Sequence, residues 1–243
     1  LITRWKELGK INGKEYIVKT IVTTETIKTI AERNGVEMYD VYTGFKWIAN
    51  VMRENEGKKN YIGGGEESYG FLCEDFVRDK DAVSACVILA EIAAWAKDQG
   101  LSLYQLLQKI YVEYGFSKEK GISVVKKGKS GAEEIEAMMK KFRENPLTEI
   151  AGSKVTYFYD YSTLKGKDYA ENETVTLDMP TTSNVLQYFT EDNTKVSIRP
   201  SGTEPKIKFY CEVHSKVKSI DELPEAEKAA EEKINQIKAS LGI

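Results

Sequence analysis

Apolar and polar positions alternate in blocks that switch between a period of about two and a period of about 3.6 residues. Such switching separates strands from amphipathic helices. Residues 16–23, with Ile17, Val18, Ile21 and Val22, predict a buried strand because β-branched side chains crowd into one short run. Thr24 then opens a helix that runs to Arg33 and closes at Asn34-Gly35. Residues 36–41 give a second strand. Thr43-Gly44 leads into a helix carrying Phe45, Trp47, Ile48, Val51 and Met52, with Gly57 past its end. Residues 60–62 form a third strand that runs into Gly63-Gly64-Gly65, read as a sharp turn. Residues 82–97 predict a long helix whose packed positions include Val83, Val87, Leu89, Ala90 and Ala94. Ser102 caps another through Tyr114, with Leu103, Leu106, Leu107 and Ile110 on its inner face. This order predicts an α/β/α layered domain with a mixed sheet over residues 15–116, preceded by a helical remnant of an earlier segment at 1–14.

The pattern changes around Gly115-Phe116-Ser117, and residues 117–243 read as a second domain. A strand at 121–125 is followed by a helix with a capping box, Ser130 and Glu133, and a face of Ile135, Met138, Met139 and Phe142. Strands follow at 154–161, 185–189, 194–199 and 206–213, with a connection at 162–182 expected to lack regular structure. A helix over 225–241 closes the chain. The prediction is an α+β domain, TATA-box-binding-protein-like, with an antiparallel sheet and two helices.

Charge narrows the function classes. A formal net charge of -3 with 30% charged residues excludes a disordered tail, and interspersed signs give no broad basic field for nucleic acid. Three cysteines, widely spaced in apolar surroundings, exclude a disulfide framework and fit a reducing cytoplasm. The single His214 ends a strand pattern and reads as a surface residue. No apolar run approaches the roughly 18 residues that a membrane span needs. The chain opens on Leu1 without a signal-peptide core and is expected to begin inside a longer protein.

Two stretches carry chemistry. Between two alternating segments lies Arg199-Pro200-Ser201-Gly202-Thr203-Glu204-Pro205-Lys206, followed by Lys208. Arg199 presents a planar fork to phosphate oxygens, Ser201 and Thr203 offer short hydroxyls, and Gly202 allows close backbone approach or a positive φ. Pro200 and Pro205 cannot donate to a ladder and bracket the loop. The second stretch is Gly63-Gly64-Gly65-Glu66-Glu67-Ser68-Tyr69-Gly70, with Arg78-Asp79-Lys80-Asp81 after it. Glu66 and Ser68, two positions apart, point the same way on an extended backbone and suit neighbouring sugar hydroxyls.

The two motifs, in this order and at this separation, resemble those of the α-D-phosphohexomutases, the phosphoglucomutase and phosphomannomutase family. The likeness covers nearly the whole chain and only the family's third and fourth domains. It implies that Glu66 and Ser68 contact sugar hydroxyls, with Thr43 and Gly44 nearby. It further implies that Lys80 takes part in proton transfer or phosphate contact, and that Arg199, Ser201, Gly202, Thr203 and Lys208 hold the phosphate that is not reacting. A base role for Lys80 requires its pKa to be lowered by burial or by a neighbouring cation such as Arg78. Some relatives end the sugar loop with histidine; Gly70 stands there in this chain. The resemblance implies a cytoplasmic isomerase of carbohydrate metabolism that acts on a sugar phosphate through a hexose bisphosphate. The full-length enzyme would be a phosphoprotein and use Mg2+. Neither the serine loop that donates the phosphoryl group nor the metal loop occurs here. The missing N-terminal domains would supply both, and this fragment alone is expected to be inactive. The rival reading is a stand-alone sugar-phosphate-binding or regulatory module without catalysis.

Overall fold

A computed structural model describes residues 1–126, 128–202 and 204–243, and divides them into two compact units, Leu1–Tyr114 and Gly115–Ile243. The first unit begins with α1 (Ile2–Glu7), β1 (Glu15–Thr20), α2 (Thr26–Arg33), β2 (Glu37–Val41) and α3 (Phe45–Asn55). It continues with β3 (Asn60–Gly65), β4 (Phe71–Cys73), α4 (Ala82–Asp98) and α5 (Leu103–Tyr114). The sheet order is β2-β1-β3-β4, with β1 parallel to both β2 and β3 and β4 antiparallel to β3. Every residue of β1 is buried, as expected of a parallel strand covered on both faces. Tyr16 and Val18 pack with Phe45, Ile48 and Met52 of α3 on one side. Ile17 joins Ile2, Ala31, Val36 and Ile62 on the other.

Glu15 anchors the entry to this sheet. Its Oε2 accepts from the backbone N–H groups of Asn12, Gly13 and Lys14 at 2.7, 3.1 and 3.2 Å, and its Oε1 accepts from Asn60 Nδ2 at 3.1 Å. Burial pushes its pKa up, but the bonds from Asn60 and the backbone outweigh that and hold the carboxyl below the usual range.

The triple glycine departs from its expected turn: Gly63, Gly64 and Gly65 are the last residues of β3 and pair with β1 on one side and β4 on the other. Their small size answers close approach. A Cβ on Gly64 would lie 2.2 Å from the Val18 carbonyl oxygen and 2.7 Å from the Tyr61 hydroxyl, and one on Gly65 would lie 2.5 Å from the Gly70 oxygen. A second departure concerns α4. Val83, Val87 and Leu89 are 74%, 53% and 55% exposed, and Ala90 and Ala94 are exposed too, so the expected packed positions face outward. In α5, Leu103 and Leu107 are also exposed. Apolar spacing reports a helix but not the presence of something to cover it. Ser102 does cap α5: its Oγ accepts from Gln105 N–H at 3.2 Å while Gln105 Oε1 accepts from Ser102 N–H at 2.8 Å.

The second unit holds β5 (Phe116–Val125), α6 (Gly128–Glu144), β6 (Glu149–Ile150), β7 (Ser153–Asp160), β8 (Lys165–Asp168) and β9 (Glu173–Thr176). It then runs through β10 (Leu186–Thr190), β11 (Lys195–Pro200), β12 (Lys206–Ser215) and α7 (Leu223–Leu241). The antiparallel sheet runs β5-β12-β11-β10-β7-β8-β9, with β6 on β7. Alternate residues Val196, Ile198, Ile207, Phe209 and Cys211 are buried on the helix side, where α6 packs on β11 and β12 and α7 on β5 and β12. Phe142 meets Phe209 edge-on at 6.3 Å, and its carbonyl accepts from the Tyr188 hydroxyl at 3.0 Å. The opposite face is polar yet paired: Lys195 Nζ lies 3.1 Å from Glu212 Oε2, Ser117 Oγ donates to Glu212 Oε1 at 2.9 Å, and Gln187 Nε2 donates to Ser197 Oγ at 2.7 Å.

Three expectations change in this unit. Residues 162–182 contain the strands β8 and β9, which sequence missed because four polar residues show no alternation. The helix α6 starts at Gly128, so Ser130 lies inside its first turn and does not cap it. Lys127 lies outside the described residues. The strand read at 121–125 begins at Phe116, just after Gly115, whose φ of 104° and lack of Cβ leave room for the His214 ring.

Candidate functional site

Parallel strands end together at one edge of the first unit's sheet, the edge where open α/β folds bind ligands. Lys19 and Thr20 finish β1, Asp40 and Val41 finish β2, and Glu66 follows β3. Lys19 is 1% exposed; its Nζ lies 2.7 Å from Asp40 Oδ1 and 3.0 Å from Glu25 Oε1. Burial pulls its pKa down, and the two carboxylates more than reverse that, so the net direction is upward. Sequence reading missed this group. Its signal was a lysine inside a run of buried β-branched residues, a position that demands a partner.

The loop after β3 is fixed by its own acids. Glu66 Oε1 accepts from the Gly44 N–H at 2.6 Å, and Glu66 N–H donates to Gly70 O at 2.7 Å. This brings Gly44 and Glu66 together, with Gly44 at φ 115° heading α3 and Thr43 half-buried beside it. A carboxylate oriented by one backbone donor keeps acceptor positions for ligand hydroxyls. Glu67 Oε2 accepts from the buried Thr20 hydroxyl at 3.2 Å, which ties the loop to the end of β1. Ser68 is exposed, and Tyr69 is 100% exposed with φ 67°, a left-handed conformation that costs a non-glycine residue about 1 kcal/mol or more.

Lys80 crosses the same loop. Its Nζ lies 5.8 Å from the Phe45 ring centroid and 3.1 Å from Asp79 Oδ1, and a Cβ on Gly70 would come within 3.2 Å of Lys80 Cδ and 3.0 Å of Glu66 Oε2. Gly70 is therefore the clearance that lets the carboxylate and the lysine stem share one place. The environment expected to depress a catalytic lysine differs from what is found. Lys80 is 54% exposed beside Asp79, and Arg78 pairs with Glu56 at 3.0 Å. Hydrogen bonds from Lys80 hold Asp79 below the usual carboxylate range.

In the second unit β11 ends at Pro200 and β12 begins at Lys206. Ser201 N–H donates to Lys206 O at 2.8 Å, closing the loop between them. Gly202 does not take a positive φ, and open space surrounds the place of its Cβ, so access explains that glycine better than conformation. Thr203 lies outside the described residues. Arg199 and Lys208 are direct partners across β11 and β12, and so share one face of the sheet. Like charges placed opposite each other destabilise a sheet unless an anion sits with them. The Lys208 ammonium lies 5.9 Å from the Tyr210 ring centroid, and Lys206 pairs with Glu204.

Comparisons with known proteins agree with both units. Residues 1–114 match the domain described as phosphoglucomutase/phosphomannomutase, alpha/beta/alpha domain III, and residues 123–230 match the C-terminal domain of the same family. The chain is 35% identical over 214 residues to a phosphoglucomutase of Staphylococcus haemolyticus, covering 88% of this chain and 39% of that protein. It is 40% identical over 194 residues to a phosphoglucomutase of Staphylococcus aureus, covering 80% and 35%. The chain thus spans under two fifths of these relatives. Among solved structures, the Paramecium phosphoglucomutase pp63/parafusin superposes with a TM-score of 0.56 at 18% identity, over 90% of this chain and 37% of that one. A phosphomannomutase structure from Thermus thermophilus gives 0.55 at 17%, over 95% and 39%; both likenesses concern fold. With a profile match on each unit and curated relatives spanning both, the chain belongs to the phosphoglucomutase/phosphomannomutase family, the α-D-phosphohexomutases, and carries its third and fourth domains.

Proposed function

We propose that this chain supplies sugar and phosphate recognition to a phosphohexomutase that interconverts hexose 1-phosphate and hexose 6-phosphate through a bisphosphate. The observation that carries the reading is the cross-strand pair Arg199 and Lys208 beside the loop at Ser201 and Gly202. Two cations on one face, with hydroxyl and backbone donors at the strand ends, make a receptor for a phosphate dianion. In the first unit Glu66, oriented by the Gly44 N–H, would accept from ring hydroxyls, with Ser68 completing the contacts and Thr43 lining the approach. Lys80 stands over the same loop as the candidate for proton transfer or phosphate contact. Binding the non-reacting phosphate at a distance positions the sugar, and such positioning lowers the barrier by several kcal/mol. The phosphoryl-donating serine and the magnesium ligands fall in the preceding domains, so turnover belongs to the whole cytoplasmic polypeptide.

The test uses that whole polypeptide with glucose 1-phosphate as substrate. Losing a hydrogen-bonded charge on the ligand costs about 1.5–3 kcal/mol, or roughly 10- to 100-fold. Arg199→Ala is expected to lower kcat/KM by that factor, with Lys208→Ala additive or greater. Unchanged kcat/KM in both variants would remove the phosphate assignment. Phosphate-sensitive binding without turnover in the parent would favour a regulatory module.

A further inference from the structure

The helix α4 is apolar on all sides, and helices of that kind are ordinarily buried. Ala85, Ile88, Leu89 and Ile92, at helical spacing, face a cavity of about 570 Å³. Ile27 and Ile30 of α2 form part of its wall, Leu1 and Ile2 stand at one place on its margin, and Tyr69 of the sugar loop at another. At about 30 Å³ per molecule, liquid water filling it would number roughly twenty, against aliphatic walls that offer almost no hydrogen bonds. The α-amino group of Leu1 also lies at this margin, where burial pushes its pKa down. A charged amine is unfavourable there, whereas a peptide bond that continues the helix is not.

We infer that the cavity is the seat of the polypeptide immediately preceding Leu1, which extends α1 backwards as an amphipathic helix and lays its apolar stripe on Ile88 and Ile92. The occupant is a segment of the same polypeptide because the family relationship places two domains ahead of this one, and the chain covers only 39% and 35% of its curated relatives. The register follows from Ile2, which is buried in the core. Residues three or four and seven places before it share its face and are expected to be apolar.

Disulfide scanning in the whole polypeptide, with Cys86→Ser removing the exposed native thiol, tests the placement. Cysteines at each of eight successive positions before Leu1 are paired with Ile88→Cys and oxidised. Crosslinking within one chain is expected at positions three to four apart, and none is expected with Val83→Cys, which faces away from the cavity. Crosslinks only between two chains would assign the cavity to a second copy and overturn the inference, as would a pattern without helical period. Replacing two of the upstream apolar residues by serine gives a second readout. Hydrogen exchange in α4 should accelerate at least tenfold while the second unit is unchanged; unaltered α4 exchange would also overturn it.

Discussion

Gly64→Ala isolates the physical reason for the triple glycine. The added methyl would stand 2.2 Å from the Val18 carbonyl oxygen, 2.7 Å from the Tyr61 hydroxyl and 3.1 Å from the Val18 carbonyl carbon. The collision is with backbone on a strand paired on both sides, so rotamer change cannot relieve it, and β1 and β3 must separate where Val18 pairs with Gly64. Overpacking in a well-packed core costs about 1–3 kcal/mol, and collision with rigid backbone places this variant near 3 kcal/mol. Gly63→Ala is the internal control: its nearest contact is 3.3 Å, to Leu72 O, a gap that a few tenths of an ångström reconciles, so about 1 kcal/mol is expected. The three tryptophans, Trp5, Trp47 and Trp95, all lie in the first unit, so tryptophan fluorescence during urea unfolding follows that unit alone. At roughly 2–4 °C per kcal/mol, the same difference should lower Tm by about 6–12 °C for Gly64→Ala. If Gly64→Ala unfolds within about 0.5 kcal/mol of the parent, or no worse than Gly63→Ala, the close-approach argument is wrong.

Glu15→Gln should cost about 2 kcal/mol, since the amide turns one acceptor into a donor facing N–H groups. Because the folded carboxyl is held below its usual range, the parent's advantage is complete above about pH 4.3 and disappears as pH falls through the folded pKa, which urea midpoints across pH 2–7 will show. Lys19→Met leaves Asp40 and Glu25 facing each other without their cation. With those acids about a third exposed, roughly 2–3 kcal/mol of stability should go, at the low end for a broken buried pair. The raised pKa of Lys19 means that its contribution is full below about pH 10.4 and lost as pH rises through the folded value, so parent and variant should converge only in strong alkali. Gly70→Ala pushes on Glu66 and the Lys80 stem without touching the core. Its kcat/KM in the whole polypeptide should fall at least tenfold while Tm stays within a few degrees, and an equal kcat/KM would show that the clearance is incidental.

Much of this architecture was legible because its signals are local. Buried strands such as β1 and β11 announce themselves by β-branched runs, and the phosphate loop by residues whose chemistry is unusual in combination. What escaped was set by partners distant in sequence. Triple glycine reads as flexibility until the carbonyl of Val18 is known to lie against it. The stripe of α4 cannot reveal whether it is covered, and β8 and β9 hold as strands because β7 offers a ladder to four-residue polar segments. Within the candidate site, Glu66 was readable from its motif, whereas its bond to the Gly44 N–H, Glu67 on Thr20 and the buried Lys19 cluster all needed the strand ends to be brought together.

The second unit's sheet ends in two unpaired margins, β5 and β9. The one at β9 is four residues long and polar, too short to template another strand. At β5 the margin is ten residues long, and its middle carries Lys118, Glu119 and Lys120, with both lysines bridged to Glu227 or Glu231 of α7 at 3.0–3.3 Å. An invading extended peptide would have to displace those lysines, so the bridges act as gatekeepers against fibril-like stacking. Because exposed ion pairs weaken as salt rises, concentrated salt is the condition under which this protein should first show strand-to-strand oligomers, starting at β5.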